Sequence, residues 1–291
     1  MHCFKQSKEL LDMIKFEHTV FALPFAFLGA FAAADGTIPA RWTLFWILLA
    51  MVGARTAAMT FNRLVDADVD AQNPRTQNRA LPAGRVSHGA AWGLLGMACA
   101  LLGFAAGMLG PLPWKLAPLA LFIILGYSLC KRFTSWSHVV LGISLAGAPL
   151  GAWIAVAGRI DAAAWFLAFG VMAWTAGFDI LYALHDREFD QAAGLRSIPA
   201  RLGVRNALWL SRLLHLLALV CWALFERRMQ SHFFPWLAWL AVAVILVREQ
   251  WVMREGKLEH LDHAFFTLNS LVGLFFLVGH GCEWLLTATL A

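Results

Sequence analysis

Long apolar runs, each near the length of a membrane crossing, alternate with short polar segments along the whole chain. A bilayer core takes ~20 consecutive apolar residues to cross as a helix, so the pattern predicts transmembrane helices rather than a water-soluble core. Nine spans are expected, near 17–34, 42–62, 88–109, 112–130, 138–157, 162–184, 207–225, 233–250 and 264–287. The fold is therefore predicted to be all-α and polytopic, a single membrane-embedded domain over residues 1–291. Residues 1–16 mix Lys5, Lys8, Glu9, Asp12 and Lys15 with Leu10, Leu11 and Ile14. That pattern suits an amphipathic segment lying on the membrane surface. No small-residue cleavage site follows, so no signal peptide is expected. Glycines and prolines inside the spans, among them Gly29, Gly142 and Pro149, suit close helix packing and kinks. Glu283, near the outer end of the last span, is expected to snorkel to the interface.

Composition strengthens this reading. The chain has 291 residues, 60% of them hydrophobic and only 14% charged, against about a quarter charged in soluble domains. Mean hydropathy is +0.65. Fourteen Trp and 22 Phe against 2 Tyr suit lipid-facing and interfacial surfaces, which makes the two tyrosines, Tyr127 and Tyr182, worth locating. The net charge of +5 is no nucleic-acid signature, because the basic residues are confined to particular loops. The amino-terminal segment and the loops after spans two, four, six and eight are rich in Lys and Arg, whereas the opposite loops hold only Arg41, Lys115, Arg159, Arg227 and Arg228. By the positive-inside rule the amino terminus is cytoplasmic, in a cell or inner membrane. The five cysteines are scattered with no C-x-x-C pair, and the histidines show no metal-ligand spacing; His260 and His263 sit in a charged loop.

One polar stretch stands apart, Asn62 to Arg79, between the second and third spans. Read as a continuing helix, Asn62, Asp66 and Asp70 fall at i, i+4 and i+8 on one face, with Asp68 pointing elsewhere. Carboxylates in that row suit Mg²⁺, which is held by one or two acids plus substrate phosphates. Arg75 and Arg79, four apart, suit the phosphate such a metal brings. Alone, the stretch reads first as a solvated charged loop. A second copy changes the balance: Tyr182, Asp186 and Asp190 lie 120 residues after Asn62, Asp66 and Asp70, again at the end of an inward-running span. Arg196 and Arg201 trail this pair as Arg75 and Arg79 trail the first. Two acid pairs at one depth would repel unless cations sat between them, so the repeat predicts Mg²⁺ and a bridging polyanion. A diphosphate with an isoprenoid tail satisfies both the charged mouth and the apolar bundle.

Further residues join this set. Tyr127 and Lys131, four apart at the end of span four, would offer an aromatic face to a carbocation and a cation to a phosphate. Arg132 beside them reads as a membrane anchor. Asp179 lies inside span six, where an acid ordinarily has work or a partner. Arg55, seven residues before Asn62, would suit the carboxylate of an aromatic second substrate or a structural ion pair.

The segment Asn62 to Gly84, reading N-x-x-x-D-x-x-x-D and then N-P-R-T-x-N-R-x-L-P-A-G, resembles the first signature of the UbiA superfamily of intramembrane aromatic prenyltransferases. Asp179 to Pro199, reading D-x-x-Y-x-x-x-D-x-x-x-D and then G-L-R-S-I-P, resembles the second, and Tyr127 with Lys131 matches its Y-x-x-x-K element. The resemblance implies Mg²⁺-dependent transfer of a polyprenyl group from its diphosphate to an aromatic acid in quinone biosynthesis. It implies that Asp66, Asp70, Asp186 and Asp190 serve the Mg²⁺–diphosphate, with Asn62, Arg75, Arg79, Lys131 and Arg196 around it. The branch it is most similar to uses 4-hydroxybenzoate, and part of that branch uses 1,4-dihydroxy-6-naphthoate. Arg63 stands where many relatives keep a further acid. The implied partners are the two substrates and membrane lipid, with no nucleic acid and no obligate protein partner. A transporter with an acid-lined cytoplasmic site is the alternative from another class; it predicts ionisable residues through the depth of both halves. Phosphatidyl transfer from a CDP-alcohol would need a D-G-x-x-A-R-type motif, which the sequence lacks.

Overall fold

A computed structural model describes Glu9, Leu10, Met13, residues 22–254 and residues 268–290, the last three by backbone alone. The described residues form helices joined by turns: α1 (Leu23–Ala33), α2 (Arg41–Val65), α3 (Ala67–Gln72), α4 (His88–Leu109), α5 (Pro111–Cys130), α6 (Ser137–Ala157), α7 (Ala162–Tyr182), α8 (Arg187–Ala192), α9 (Ile198–Arg228), α10 (Phe233–Val252) and α11 (Asn269–Leu290). Among the described residues, eight helices are long and apolar enough to cross a membrane: α2, α4, α5, α6, α7, α9, α10 and α11. The chain is thus an all-helical, multi-pass membrane protein. The first expected span is described from Ala22 onward, as the 11-residue apolar helix α1. Most of the expected amphipathic segment, and His260 with His263, lie outside the described residues. The seventh helix expected at 207–225 begins earlier, at Ile198, and is broken at Gly203, whose φ of 76° and ψ of 169° only glycine adopts freely.

Exposure runs opposite to that of a soluble protein. Phe122 is 76% exposed and Val247 66%, as expected of side chains that meet lipid.

The chain divides into two compact units. One comprises residues 1–19 and 45–129. In it α2 and α4 meet at Gly53, where an added Cβ would stand 2.8 Å from the Leu102 amide nitrogen and 3.0 Å from the Ala98 carbonyl oxygen. Only glycine permits that approach. Met59, Ala67, Ala80, Leu81, Val86 and Ala91 form a buried cluster that roots the loop between α3 and α4.

The other unit comprises residues 20–44 and 130–291. Its centre is α7, packed against α6 and α9 and buried around its circumference at Leu167, Val171, Ala173, Trp174 and Ile180. Phe25 of α1 stacks on Trp222 of α9 at 5.7 Å and tilts against Trp174 at 5.4 Å, and Phe276 of α11 meets Trp222 edge-on at 4.9 Å. Aromatic pairs in such arrangements add about 0.5–1.5 kcal/mol each beyond their burial. The Glu283 carboxylate accepts hydrogen bonds from the His232 and Phe234 amides, at 2.6 and 3.4 Å, and so caps the start of α10. The helix N-terminus thereby gains an acceptor of the favourable charge.

Candidate active site

The first acid stretch is not one continuing helix. α2 ends at Val65, and Asp66 takes φ −94° and ψ 3° before α3 begins at Ala67. The i to i+4 ladder nevertheless persists: the Asp66 amide donates to the Asn62 carbonyl at 3.0 Å, and the Asp70 amide to the Asp66 carbonyl at 2.7 Å. The four-residue spacing therefore survives a change of direction. The second stretch repeats this conformation. α7 gives way to a 3₁₀ turn over Ala183–Asp186, Asp186 takes φ −99° and ψ 4°, and α8 follows with the same six-residue length as α3. Both acids occupy the sparsely populated bridge region, which is frequent at functional residues. Asp68, as expected, is exposed.

In the first unit Asn62 Nδ2 donates to Asp66 at 2.9 Å, and buried Arg63 donates to the Asn62 side-chain oxygen at 3.2 Å. Arg63 thus fixes the amide so that its NH₂ faces Asp66, a role an acid at that position would reverse. Asn73 precedes Pro74, turns extended with ψ 119° and ends α3. Its side chain accepts from the Arg75 amide at 2.9 Å, and Thr76 Oγ1 donates to the Asp70 carbonyl at 3.1 Å. This turn returns Arg79 to Asp70, where Nη1 stands 2.7 Å from both carboxylate oxygens. Arg75 is exposed. Half-buried Arg55, deeper in α2, has its Nε buried without a hydrogen-bond partner among the described residues, within electrostatic reach of half-buried Tyr127.

In the second unit Asp186 and Asp190 are both buried, and Asp190 Oδ2 has no hydrogen-bond partner among the described residues. Lys131 lies near enough to act on Asp190 electrostatically, and the Ser197 hydroxyl bonds its carboxylate. Arg196 anchors the same neighbourhood: its amide donates to the Lys131 carbonyl at 2.7 Å and its guanidinium to the Phe133 carbonyl at 2.7 Å. Arg132 is exposed. The Tyr182 ring lies 5.9 Å from His185. Asp179 has a partner, as an acid inside a span should: Oδ2 is 2.7 Å from His138 Nδ1.

Several polar residues of this unit were not singled out by sequence reasoning. His138 is fully buried. Glu226, also fully buried, accepts from Ser231 at 2.6 Å and meets His280 Nε2 at 3.1 Å. Asn269 links Trp174 to Glu249, at 2.7 and 2.9 Å, and Gln250 bonds Ser211 and His215. The available signal was an acid or amide inside an apolar run.

A metal's fit can be judged from each acid pair. Among the described residues no group of three or more His, Cys, Asp or Glu gathers around one point. In the second pair the unpartnered, buried oxygen of Asp190 suits Mg²⁺, which dehydrates reluctantly and takes few protein ligands, better than it suits zinc, whereas both oxygens of Asp70 in the first pair are taken by Arg79.

Residues 22–271 match the model of the UbiA prenyltransferase family. The 4-hydroxybenzoate octaprenyltransferase of Aeromonas hydrophila is 30% identical over 244 residues, covering 84% of each chain. That of Photobacterium profundum is 27% identical over 249 residues, covering 86% of each. The apo structure of a UbiA homolog from Aeropyrum pernix K1 superposes with a TM-score of 0.84 at 30% identity, over 92% of this chain and 98% of the other. A UbiA homolog from Archaeoglobus fulgidus bound to DMAPP and Mg²⁺ shares the fold, with a TM-score of 0.76 at 19% identity over 93% of this chain and 97% of that one. The chain belongs to the UbiA prenyltransferase family.

Proposed function

We propose that the whole chain, as a single membrane-embedded domain, transfers a polyprenyl group from its diphosphate to a hydroxylated aromatic acid, 4-hydroxybenzoate or 1,4-dihydroxy-6-naphthoate, for ubiquinone or menaquinone synthesis. The observation that carries the proposal is the repeated acid kink, with Asp66 and Asp186 in one backbone conformation and each leading a six-residue helix that bears a second acid. The names of the curated relatives support the benzoate, and the Archaeoglobus complex supports magnesium.

In this reading Asp66 and Asp70, and likewise Asp186 and Asp190, would hold Mg²⁺ for the diphosphate. The metal those acids would hold would supply Lewis-acid stabilisation of the negative charge that collects on the diphosphate. Asn62, oriented by Arg63, supports Asp66. Arg75, Arg79, Lys131 and Arg196 neutralise the remaining phosphate charge. The allylic C–O bond breaks, and diphosphate leaves with the electron pair. Tyr127 and Tyr182 offer aromatic faces to the allylic cation. Arg55 holds the acceptor's carboxylate, and Asp179 is part of the substrate site. The ring carbon ortho to the hydroxyl then forms the new C–C bond, and Asp186 takes a proton from the acceptor. The site faces the cytoplasm of a cell or inner membrane, with the amino terminus on that side.

Membranes containing the chain, given a radiolabelled polyprenyl diphosphate, Mg²⁺ and each aromatic acid in turn, should yield a labelled prenylated product. No product with either acid overturns the proposal.

A further inference from the structure

His138 has no place in the reaction described above, yet it is fully buried beside the residues that perform it. It stands in the first turn of α6 and joins two other elements. On one side Nδ1 meets Asp179 Oδ2 of α7 at 2.7 Å, and on the other Nε2 receives the Ile198 amide of α9 at 3.3 Å. The amide can only donate, so Nε2 carries no proton and Nδ1 carries the ring's one proton, which it gives to Asp179. Both ring nitrogens are thus engaged, and the ring's orientation is set from both sides.

The first residues of α9 present amides that need partners. Ile198 donates to His138; Pro199 has no N–H; Ala200 donates to Ser197 Oγ at 3.3 Å; and Arg201 donates to the Ser197 carbonyl at 3.0 Å. His138 thus completes the cap and holds Ser197 in its extended N-cap conformation, with φ −125° and ψ 160°. Ser197 is fully buried and gives its hydroxyl to the Asp190 carboxylate, while the Asp190 carbonyl accepts from the Leu195 amide at 2.8 Å.

We infer that His138 is a positioning residue for the second acid pair: by tying Asp179 to the head of α9 it fixes Ser197, and through Ser197 the orientation in which Asp190 presents its free oxygen to a divalent cation. The inference rests on the reading of Asp186 and Asp190 as metal–diphosphate ligands. Losing such an outer support costs roughly 10- to 100-fold in metal affinity.

The test is Mn²⁺ binding by electron paramagnetic resonance on the detergent-solubilised full chain with geranyl diphosphate. Thermal unfolding of each variant is measured alongside. His138→Leu should raise the Mn²⁺ half-saturation concentration at least about tenfold. His138→Gln, which can both donate to Asp179 and accept from Ile198, should restore it. Ser197→Gly serves if His138→Leu does not fold, because glycine retains most of the cap while removing the hydroxyl. It should raise the half-saturation concentration similarly. If wild type binds Mn²⁺ and Asp190→Asn loses it, while His138→Leu or Ser197→Gly binds as wild type does, the inference is overturned and the metal reading stands. If wild type binds no Mn²⁺ with the diphosphate present, the metal reading itself falls, and the inference with it.

Discussion

Replacing Arg79 by Met removes the cation that lies 2.7 Å from both oxygens of Asp70 and leaves everything else in the turn unchanged. The Asp70 side chain is 9% exposed and that of Arg79 28%, so the pair is partly shielded from water rather than sealed. Stripping the partner from a fully buried charge costs 3–5 kcal/mol, and exposed pairs are worth 0–1 kcal/mol; this pair falls between, at about 1.5 kcal/mol. By the scaling for domains of 150–250 residues that is roughly a 3–6 °C fall in Tm. The fall should appear with EDTA present. Excess Mg²⁺ offers Asp70 another positive charge, and it should reverse more of the loss in Arg79→Met than it adds to the wild type, where Arg79 competes for the same oxygens. The assay is thermal unfolding in detergent of both proteins, each with EDTA and with Mg²⁺. An equal Mg²⁺ shift in the two proteins would refute the argument that Arg79 and the metal share Asp70.

Three other outcomes are expected. His280→Leu leaves buried Glu226 with Ser231 as its remaining side-chain donor among the described residues and should cost about 2 kcal/mol in unfolding experiments, while transfer kinetics at permissive temperature stay as in wild type, because Glu226 stands roughly 35 Å along α9 from the break at Gly203. Gly53→Ala drives a Cβ into the backbone of α4 and should destabilise by about 2 kcal/mol, seen as lost monodisperse protein on size exclusion. Arg55→Leu should raise KM for the aromatic acid roughly 10- to 100-fold, the equivalent of one charged hydrogen bond, with KM for the diphosphate unchanged. An equal rise in both KM values would reassign Arg55 to the fold.

The helices were legible because a bilayer imposes both length and composition; α4, at 88–109, matches its expected bounds at both ends. The acid repeat was legible because its spacing is periodic. Its backbone was not: nothing in Asn62–Asp70 signals that Asp66 leaves the helix, since none of those residues is Gly or Pro. His138 was hidden for a different reason. A lone histidine at the start of an apolar run reads as an interfacial residue, and only the approach of Asp179 from α7 and Ile198 from α9 gives it two partners. Glu226 and Glu249 were concealed in the same way, each hydrogen-bonded from another helix, at His280 and Asn269. Long-range partners of buried polar groups are a property of packing, and periodicity does not encode them.

The central claim is that the two kinked acids are equivalent working halves of a metal-dependent prenyl transferase. The direct measurement is polyprenyl transfer to 4-hydroxybenzoate and to 1,4-dihydroxy-6-naphthoate by wild type, Asp66→Asn and Asp186→Asn, each with Mg²⁺ and with EDTA. Wild type should form product only with metal, and each variant should lose at least about 100-fold in rate, the order expected when an electrostatic stabiliser is removed from a reacting centre. Full activity in either variant, or in wild type with EDTA, would contradict the account.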